Sequence, residues 1–465
     1  MLTELENGIV QIEPSDWRWG ASIVGFIKYL EYHKEIENVE IDDEFIKFNI
    51  NLITEDKYLE FAENIFADKM HHKIVENLLS QEPTADNIKA INEKLSQNAS
   101  SNTIMLKTFK GIKYDGDNRD LIKITIEKNR KELILNTFRG GRSLYYKFCN
   151  ENNMLKEKGS SCRLRGYSID MGKKGKSVSF MANASTFVYE DHPIFDFIPF
   201  AFSKTRESFF INNNFTITQL VKSNKFEPFE SDNAFKSKLF FKVKDSSDYI
   251  DYDVEIITKD MEKEYFENLY LRKSAIDIFG NISETTSNII SSSCKLERFR
   301  GNVLGESVNS DGYINIQNIV VNSVINNIKL DDLIDVLLKE KTKQYLISQL
   351  IIINLGGKMT EEQKKALASA LAIKKKLLAE NKGNKLRSYE QKFISAITLK
   401  DYDRVKELLL HLSAYTQLRI DFAMELFEDF EGNKDLAYTF INALGEKTTG
   451  KNETENKGGQ NLWNQ

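Results

Sequence analysis

Histidine is scarce in this chain. Its five copies are His33, His71, His72, His192 and His411. They form no H-E-x-x-H helix and no His-Asp nuclease pair, and the chain has neither a Walker A loop nor a G-x-S-x-G elbow. Arg404 stands ahead of His411 with six residues between, but no polar Asn or His follows the arginine, so the pair reads as surface charge. His71-His72 reads as a solvated or packed helix face. The two Glu-x-Lys triplets, Glu362–Lys364 and Glu390–Lys392, fall on expected helices and read as surface charge rather than a nuclease centre. Cysteine is scarcer still. Cys149, Cys162 and Cys294 cannot build a disulfide framework and suit a reducing compartment. Cys149 and Cys162 are separated by twelve residues, and with the remote Cys294 or His192 they do not make the close ligand pairs of structural zinc. No metal and no other cofactor is therefore expected. Apolar runs are short: those near 194–202 and 346–355 fall below membrane-spanning length, and the first ten residues lack a signal peptide's basic start and apolar stretch. The expectation is a cytoplasmic protein with no membrane partner. Basic charge is also not in excess. The net charge is −5, so any nucleic-acid binding must rest on local patches or on a larger assembly.

What is present is ample for a folded core. The chain has 465 residues, 41% hydrophobic and 29% charged, which suits two to four globular domains. Ile9, Val10 and Ile12 suggest a short strand. In SDWRWGASIVGFIKYLEYH, Ser15 or Asp16 can cap a helix in which Ile23, Phe26, Ile27 and Leu30 recur at helical spacing. Trp17 and Trp19 read as anchors seating that helix in the core, and Arg18 between them is expected to matter little for stability. Val39–Ile41 and Phe45–Ile50 read as a hairpin turning at Asp42-Asp43. Tyr58–Leu79 reads as one long helix, followed by helices over Thr84–Leu95 and Leu121–Phe138. Further on, Lys238–Lys244 and Tyr249–Ile257 alternate like paired strands, and Glu262–Phe279 reads as helical. Glu284–Asn318 is poorly patterned, with a break near Ser307–Gly312. From about Lys329 the pattern is helical: Asp331–Leu355, a helix opened by the capping box Thr360-Glu-Glu-Gln363, another opened by Ser388-Tyr-Glu-Gln391, then Asp401–Thr416, Gln417–Phe430 and Lys434–Leu444. The expected fold class is α+β: mixed N-terminal and central α/β regions followed by an all-α C-terminal bundle. The expected domains are 1–138, 139–328 and 329–447, with a polar tail over 448–465.

One segment departs from the acidic balance. Residues 139–176 carry ten cations, among them Arg139, Arg142, Lys147, Arg163, Arg165, Lys173, Lys174 and Lys176, against three acids, a local charge of +7. Six glycines allow close backbone approach to phosphates, and Tyr145, Tyr146 and Tyr167 offer faces for stacking on bases. A solvated loop is the plain alternative. Arg139-Gly-Gly-Arg142 resembles a phosphate-cradling turn but lacks the Lys-Ser/Thr that would follow one. Base reading calls for a bidentate Arg or an Asn/Gln, for which Arg163, Arg165 and Asn183 are candidates. A second basic stretch lies between Lys358 and Lys392, where Lys374, Lys375 and Lys376 are expected on the outward face of a helix; an ordinary soluble surface is the alternative.

The order of these features, with a Trp-rich first helix, a central Cys-bearing basic segment, the HPIFDFIPFAF stretch and a C-terminal bundle, resembles the large subunit of type I CRISPR Cascade surveillance complexes, subtype I-B in particular. The resemblance spans most of the chain. It implies a non-catalytic subunit that reads the protospacer-adjacent motif, helps open double-stranded target DNA, and works with CRISPR RNA, the other Cascade subunits and a separate helicase-nuclease. The bundle would contact the displaced strand. Relatives that carry paired Cys-x-x-Cys motifs differ from this chain, which keeps only Cys149 and Cys162 there. Two other readings stand beside it: a nucleic-acid-cleaving defence enzyme with an unrecognised centre, and a protein-only scaffold of a defence system. Gly356-Gly357-Lys358-Met359 likewise has two readings, a helix terminus or a purine-rich start region for a shorter chain beginning at Met359.

Overall fold

The computed structural model describes residues 2–96, 104–139, 144–150, 153–156, 163–165, 171–172, 176–177, 191–204, 206–225, 235–260, 262–263, 265–340 and 343–445. They form an α+β fold in two compact units. The first comprises residues 1–235 and 254–270; the second comprises 236–253 and 271–465.

The first unit opens with strands β1 (Leu2–Glu4) and β2 (Ile9–Ile12), helix α1 (Trp17–His33), and strands β3 (Glu40–Ile41) and β4 (Ile46–Asn49). The four strands make an antiparallel sheet in the order β1-β2-β4-β3. The register sets Val10 opposite Phe48 and Ile12 opposite Ile46, and all four are buried. Asp16 starts α1 by accepting the backbone N–H groups of Arg18 and Trp19. The expected hairpin is present, and so is the anchoring role of the tryptophans: Trp17 is 7% and Trp19 2% exposed. Trp19 meets the Phe195 ring edge-on at 4.6 Å. The expectation for Arg18 needs correction. It is buried, ion-paired to Asp16 at 2.5 Å, and its guanidinium lies over the Phe195 ring at 5.5 Å. Gly25 explains how α1 packs so closely. A Cβ there would stand 2.0 Å from the carbonyl oxygen of Phe197, so only glycine lets the Pro193–Phe197 turn lie flush against the helix.

The long helix expected over Tyr58–Leu79 is two helices, α2 (Glu55–Ile65) and α3 (His71–Leu79), broken by a 3-10 turn over Ala67–Lys69. The reason is packing. Tyr58, Phe61, Phe66 and Met70 enter the core built on α1, whereas Val75 and Leu79 enter a second core with Ile91, Met105, Ile122 and Leu133. One straight helix would not turn an apolar stripe toward both. After α4 (Ala85–Leu95) and α5 (Ile104–Thr108), α6 (Arg119–Arg139) bridges the two cores: Ile122, Ile126 and Leu133 face one, Ile134 and Phe138 the other. Strands β5 (Met171–Gly172) and β6 (Lys176–Ser177) form a short antiparallel pair. The HPIFDFIPFAF stretch becomes a 3-10 turn, buried from Ile194 to Phe197, and the buried helix α7 (Ile198–Ala201), both packed against α1. Strand β7 (Glu207–Asn212) and helix α8 (Ile217–Ser223) follow, and β7 pairs with β8 (Val254–Asp260), itself next to β9 (Glu267–Leu271).

The second unit takes α9 (Phe235–Ser246). Paired strands were expected over Lys238–Lys244, but Leu239, Phe240 and Val243 are buried at helical spacing and Phe240 packs on Phe279. The partner strand of β8 is β7. Glu262–Phe279 is strand β9 and then helix α10 (Lys273–Asn281) rather than one helix. The poorly patterned stretch holds α11 (Glu284–Ile290) and four short strands, β10 (Ser293–Lys295), β11 (Asn302–Val303), β12 (Glu306–Ser307) and β13 (Tyr313–Asn315). β10 pairs with β13 and β11 with β12, so the expected break near 307–312 lies within paired structure.

The helical bundle is present: α12 (Ile316–Ile325), α13 (Asp331–Glu340), α14 (Gln344–Asn354), α15 (Glu361–Ala379), α16 (Gly383–Thr398), α17 (Tyr402–Thr416), α18 (Ala423–Glu428) and α19 (Lys434–Gly445). Asp331–Leu355 is therefore two helices. At the end of the first, the Glu340 carboxylate accepts the N–H groups of Glu297, Arg298 and Phe299 at 2.8–2.9 Å, and those bonds hold its carboxyl below the usual range despite burial. Thr360 caps α15 through the N–H of Gln363, while the Gln363 side chain accepts from Thr439 instead of closing the capping box. Ser388 lies inside α16, whose start is set earlier, where the N–H of Lys382 bonds the carbonyl of Leu377 beyond the left-handed Asn381. Gly356 and Gly357 have φ of +80° and +93° and cap α14, the helix-terminus reading of that motif. Among the described residues no helix is long and apolar enough to cross a membrane.

Candidate nucleic-acid interface

The described part of the basic segment is built around a buried guanidinium. Tyr145 follows α6, and its N–H bonds the carbonyl of Phe138 at 2.8 Å. The chain returns at 163–165 to form a minimal antiparallel ladder. Cys149 bridges Leu164, the N–H of Asn150 donates to the carbonyl of Arg163 at 2.7 Å, and the N–H of Arg165 to that of Phe148 at 2.8 Å. Arg163 turns inward from this ladder and is 0% exposed. Its Nη1 donates to both carboxylate oxygens of Asp196 at 2.8 and 3.0 Å, and its Nε to Asp191 at 3.2 Å. Nη1 also meets the carbonyl of Asn153, and Nη2 that of Lys156.

Asp196, also 0% exposed, collects the Tyr145 hydroxyl at 2.5 Å and the N–H of Leu155 at 2.6 Å. Tyr58 donates to its backbone carbonyl at 2.7 Å. Burial pushes the Asp196 carboxyl up, and the Arg163 guanidinium opposes that push. Burial works against the charge on Arg163, but Asp196, Tyr145 and Asp191 hold it in the protonated form. Burial and then Asp196 raise the phenols of Tyr58 and Tyr145. Together these groups clasp the basic segment to the α1 core. Beside them, burial and the charge of Arg163 lower His192 to about 4, and its neutral Nδ1 accepts the N–H of Ile194.

This geometry places the expected site residues apart. Arg163 is not at a phosphate-facing surface: its guanidinium is enclosed by two carboxylates and two carbonyls and forms part of the interior. Arg165, two residues on, is half-buried, and its guanidinium lies 3.4 Å from the centroid of the Tyr146 ring. Arg139 ends α6, half-buried, as is Lys147 in the turn after Tyr145. Lys176 begins β6. Arg142, Lys173, Lys174 and Asn183 lie outside the described residues. In the bundle, Lys374 is 5% exposed and faces inward, because it falls in the buried series Ala370, Ile373, Lys374, Leu377 along α15. Lys375 is exposed and Lys376 half-exposed.

Sequence reasoning missed Asp191, Asp196 and Tyr58. Asp196 did leave a trace: an acid inside the apolar run Pro193-Ile-Phe-Asp-Phe-Ile198 must find a partner if the run is buried. Cys149 is buried and not disulfide-bonded, and Cys162 is outside the described residues. Among the described residues no group of His, Cys, Asp or Glu is arranged to hold a metal ion.

The family model described as CRISPR-associated protein Csx8 matches this chain over residues 9–236 and 221–444, nearly its whole length. No curated protein and no solved structure matches it.

Proposed function

The chain belongs to the CRISPR-associated protein Csx8 family and has its role in CRISPR defence, and from that premise we propose that it is the non-catalytic large subunit of a CRISPR RNA-guided surveillance complex. In this reading it recognises the protospacer-adjacent motif in double-stranded target DNA and aids duplex opening. Its partners are CRISPR RNA, the other Cascade subunits and a separate helicase-nuclease, and it works in the cytoplasm. The observation that carries the reading is the contrast between a local charge of +7 over residues 139–176 and a whole chain at −5. A concentrated cationic segment on an acidic protein suits a subunit whose assembly shares the DNA contacts. The Arg163–Asp196 clasp supports it further by tying the described part of that segment, with Arg165, to the first unit's core.

The test is the salt dependence of target binding by the assembled complex. Phosphate contacts release counterions, so each lost contact flattens the slope of affinity against salt by about one. Replacing Lys173, Lys174 and Lys176 with Ala is expected to weaken binding and flatten the slope. Arg163 is left intact because its loss tests folding. Unchanged affinity and slope would refute the assignment. Cutting of DNA by the purified chain with added magnesium would replace it with an enzymatic reading.

A further inference from the structure

Arg163 and Arg165 are two residues apart on one short ladder, yet their guanidinium groups are treated differently. Every nitrogen of the Arg163 guanidinium has a protein acceptor. Among the described residues none meets the guanidinium of Arg165, and its Nε is buried without a hydrogen-bond partner. The group is nonetheless held in place. The N–H of Arg165 is fixed to Phe148, its neighbour Leu164 is bridged to Cys149, and its guanidinium is stacked on Tyr146 at 3.4 Å. Stacking covers the face of a guanidinium, and with Nε buried it leaves the in-plane N–H donors of the two terminal nitrogens open. The result is a held fork with no acceptor among the described residues.

We infer that Arg165 is the residue that reads a base, and that the base is guanine. This rests on the duplex-binding reading proposed above. Guanine presents O6 and N7 as two adjacent acceptors in the major groove, the pair that the parallel N–H groups of one arginine fit. A non-bridging phosphate edge offers similar acceptors, but a phosphate contact needs charge more than a fixed plane, and lysines serve it as point charges. An arginine immobilised by an aromatic ring has already lost the rotamer freedom that a directional contact would otherwise cost. Arg163 is excluded from the role by its own pairing.

The test uses the assembled complex and a pool of target duplexes randomised beside the guide-matched sequence. Wild type is expected to enrich G at one position of one strand. Arg165→Gln should lose that preference by roughly 10- to 100-fold, the range for one bidentate base contact, and keep the preferences at other positions. Arg165→Lys should keep most of the overall affinity but lose the guanine preference. Tyr146→Leu, which leaves the arginine but frees it, should reduce discrimination several-fold. The inference is overturned if the wild-type complex binds duplex with no guanine preference or if the preference survives in both Arg165 variants. It is also overturned if Arg165→Gln weakens all sequences equally and flattens the salt slope, which is the mark of a phosphate contact. A wild-type complex that binds no duplex would instead remove the proposed function itself.

Discussion

Around residues 145–165 in the first unit, one guanidinium sits inside the protein, gripped by Asp196 and Asp191. Along α15 and α17 in the second unit, three cations lie on helix surfaces and pair with acids three residues away: Lys364 with Glu361, Lys365 with Glu362, Arg404 with Glu407. Both regions are rich in basic residues, so composition alone does not separate them. Removing one partner of a buried pair strands a charge in a medium that cannot solvate it, whereas a surface pair competes with water and contributes little. A cationic cluster in a sequence is thus a mixture of interior clasps and surface charge. Only the surface fraction is available to a nucleic acid.

Substitutions at the two regions should separate by a wide margin. Arg163→Ala is expected to cost about 3–5 kcal/mol, because Asp196 is left buried and unpaired. Denaturant unfolding followed by tryptophan fluorescence reads it, since Trp17 and Trp19 report on the first unit. A loss below about 1 kcal/mol would mean that the clasp is not a structural element. Trp19→Ala should cost a comparable amount, about 3–5 kcal/mol for a large buried aromatic.

Acid should pull the two units in opposite directions through two groups. His192 titrates at about 4 in the folded chain and about 6.5 when unfolded, so its contribution is complete above 6.5 and lost as pH falls toward 4. Asp335 is raised to about 6 by burial, although the hydroxyl of Tyr438, which donates to it at 2.9 Å, and the charge of Lys434 favour its ionised form. The folded chain therefore takes up that proton first, and the second unit gains stability as pH falls from 6 toward 4. Each effect should be roughly 2–3 kcal/mol. His192→Asn keeps a capping acceptor and should make the tryptophan-detected transition less acid-sensitive. Asp335→Asn should abolish the acid-side gain seen by circular dichroism of the helices. The same pH response before and after either change would contradict the assignment. At the small end, Lys364→Ala should leave the melting midpoint unmoved, and a clear drop would show that the α15 surface pairs act as more than solvated charge.

Local signals carried much of the fold. Asp16, Thr84, Thr360 and Asp401 each cap the helix expected there, and the apolar stretches either side of Asp42-Asp43 mark the first hairpin. The misreadings share a cause in tertiary packing. The split between α2 and α3 depends on two cores that no local window contains, and Lys238–Lys244 fits both periods until Phe279 decides for the helix. At the candidate site, the basic segment was legible as charge, but the division of labour between Arg163 and Arg165 was not. It is settled by Asp196, which lies 33 residues beyond Arg163 and comes from a different element. Lys374 was misplaced for a simpler reason: it shares a buried helical series with Ile373 and Leu377, and a lysine there reads as surface only if the series is ignored.

The central claim is that the first unit's basic segment, and not the bundle, meets the duplex beside the target. A photo-crosslinking amino acid in place of Tyr146, in the fully assembled complex, tests it most directly; the same probe in place of the exposed Tyr415 on α17 serves as the comparison. Irradiation should join position 146 to the duplex flank carrying the recognised motif, with position 415 giving no crosslink to that flank. Tight target binding with no crosslink from position 146, or with flank crosslinks only from position 415, would contradict the account.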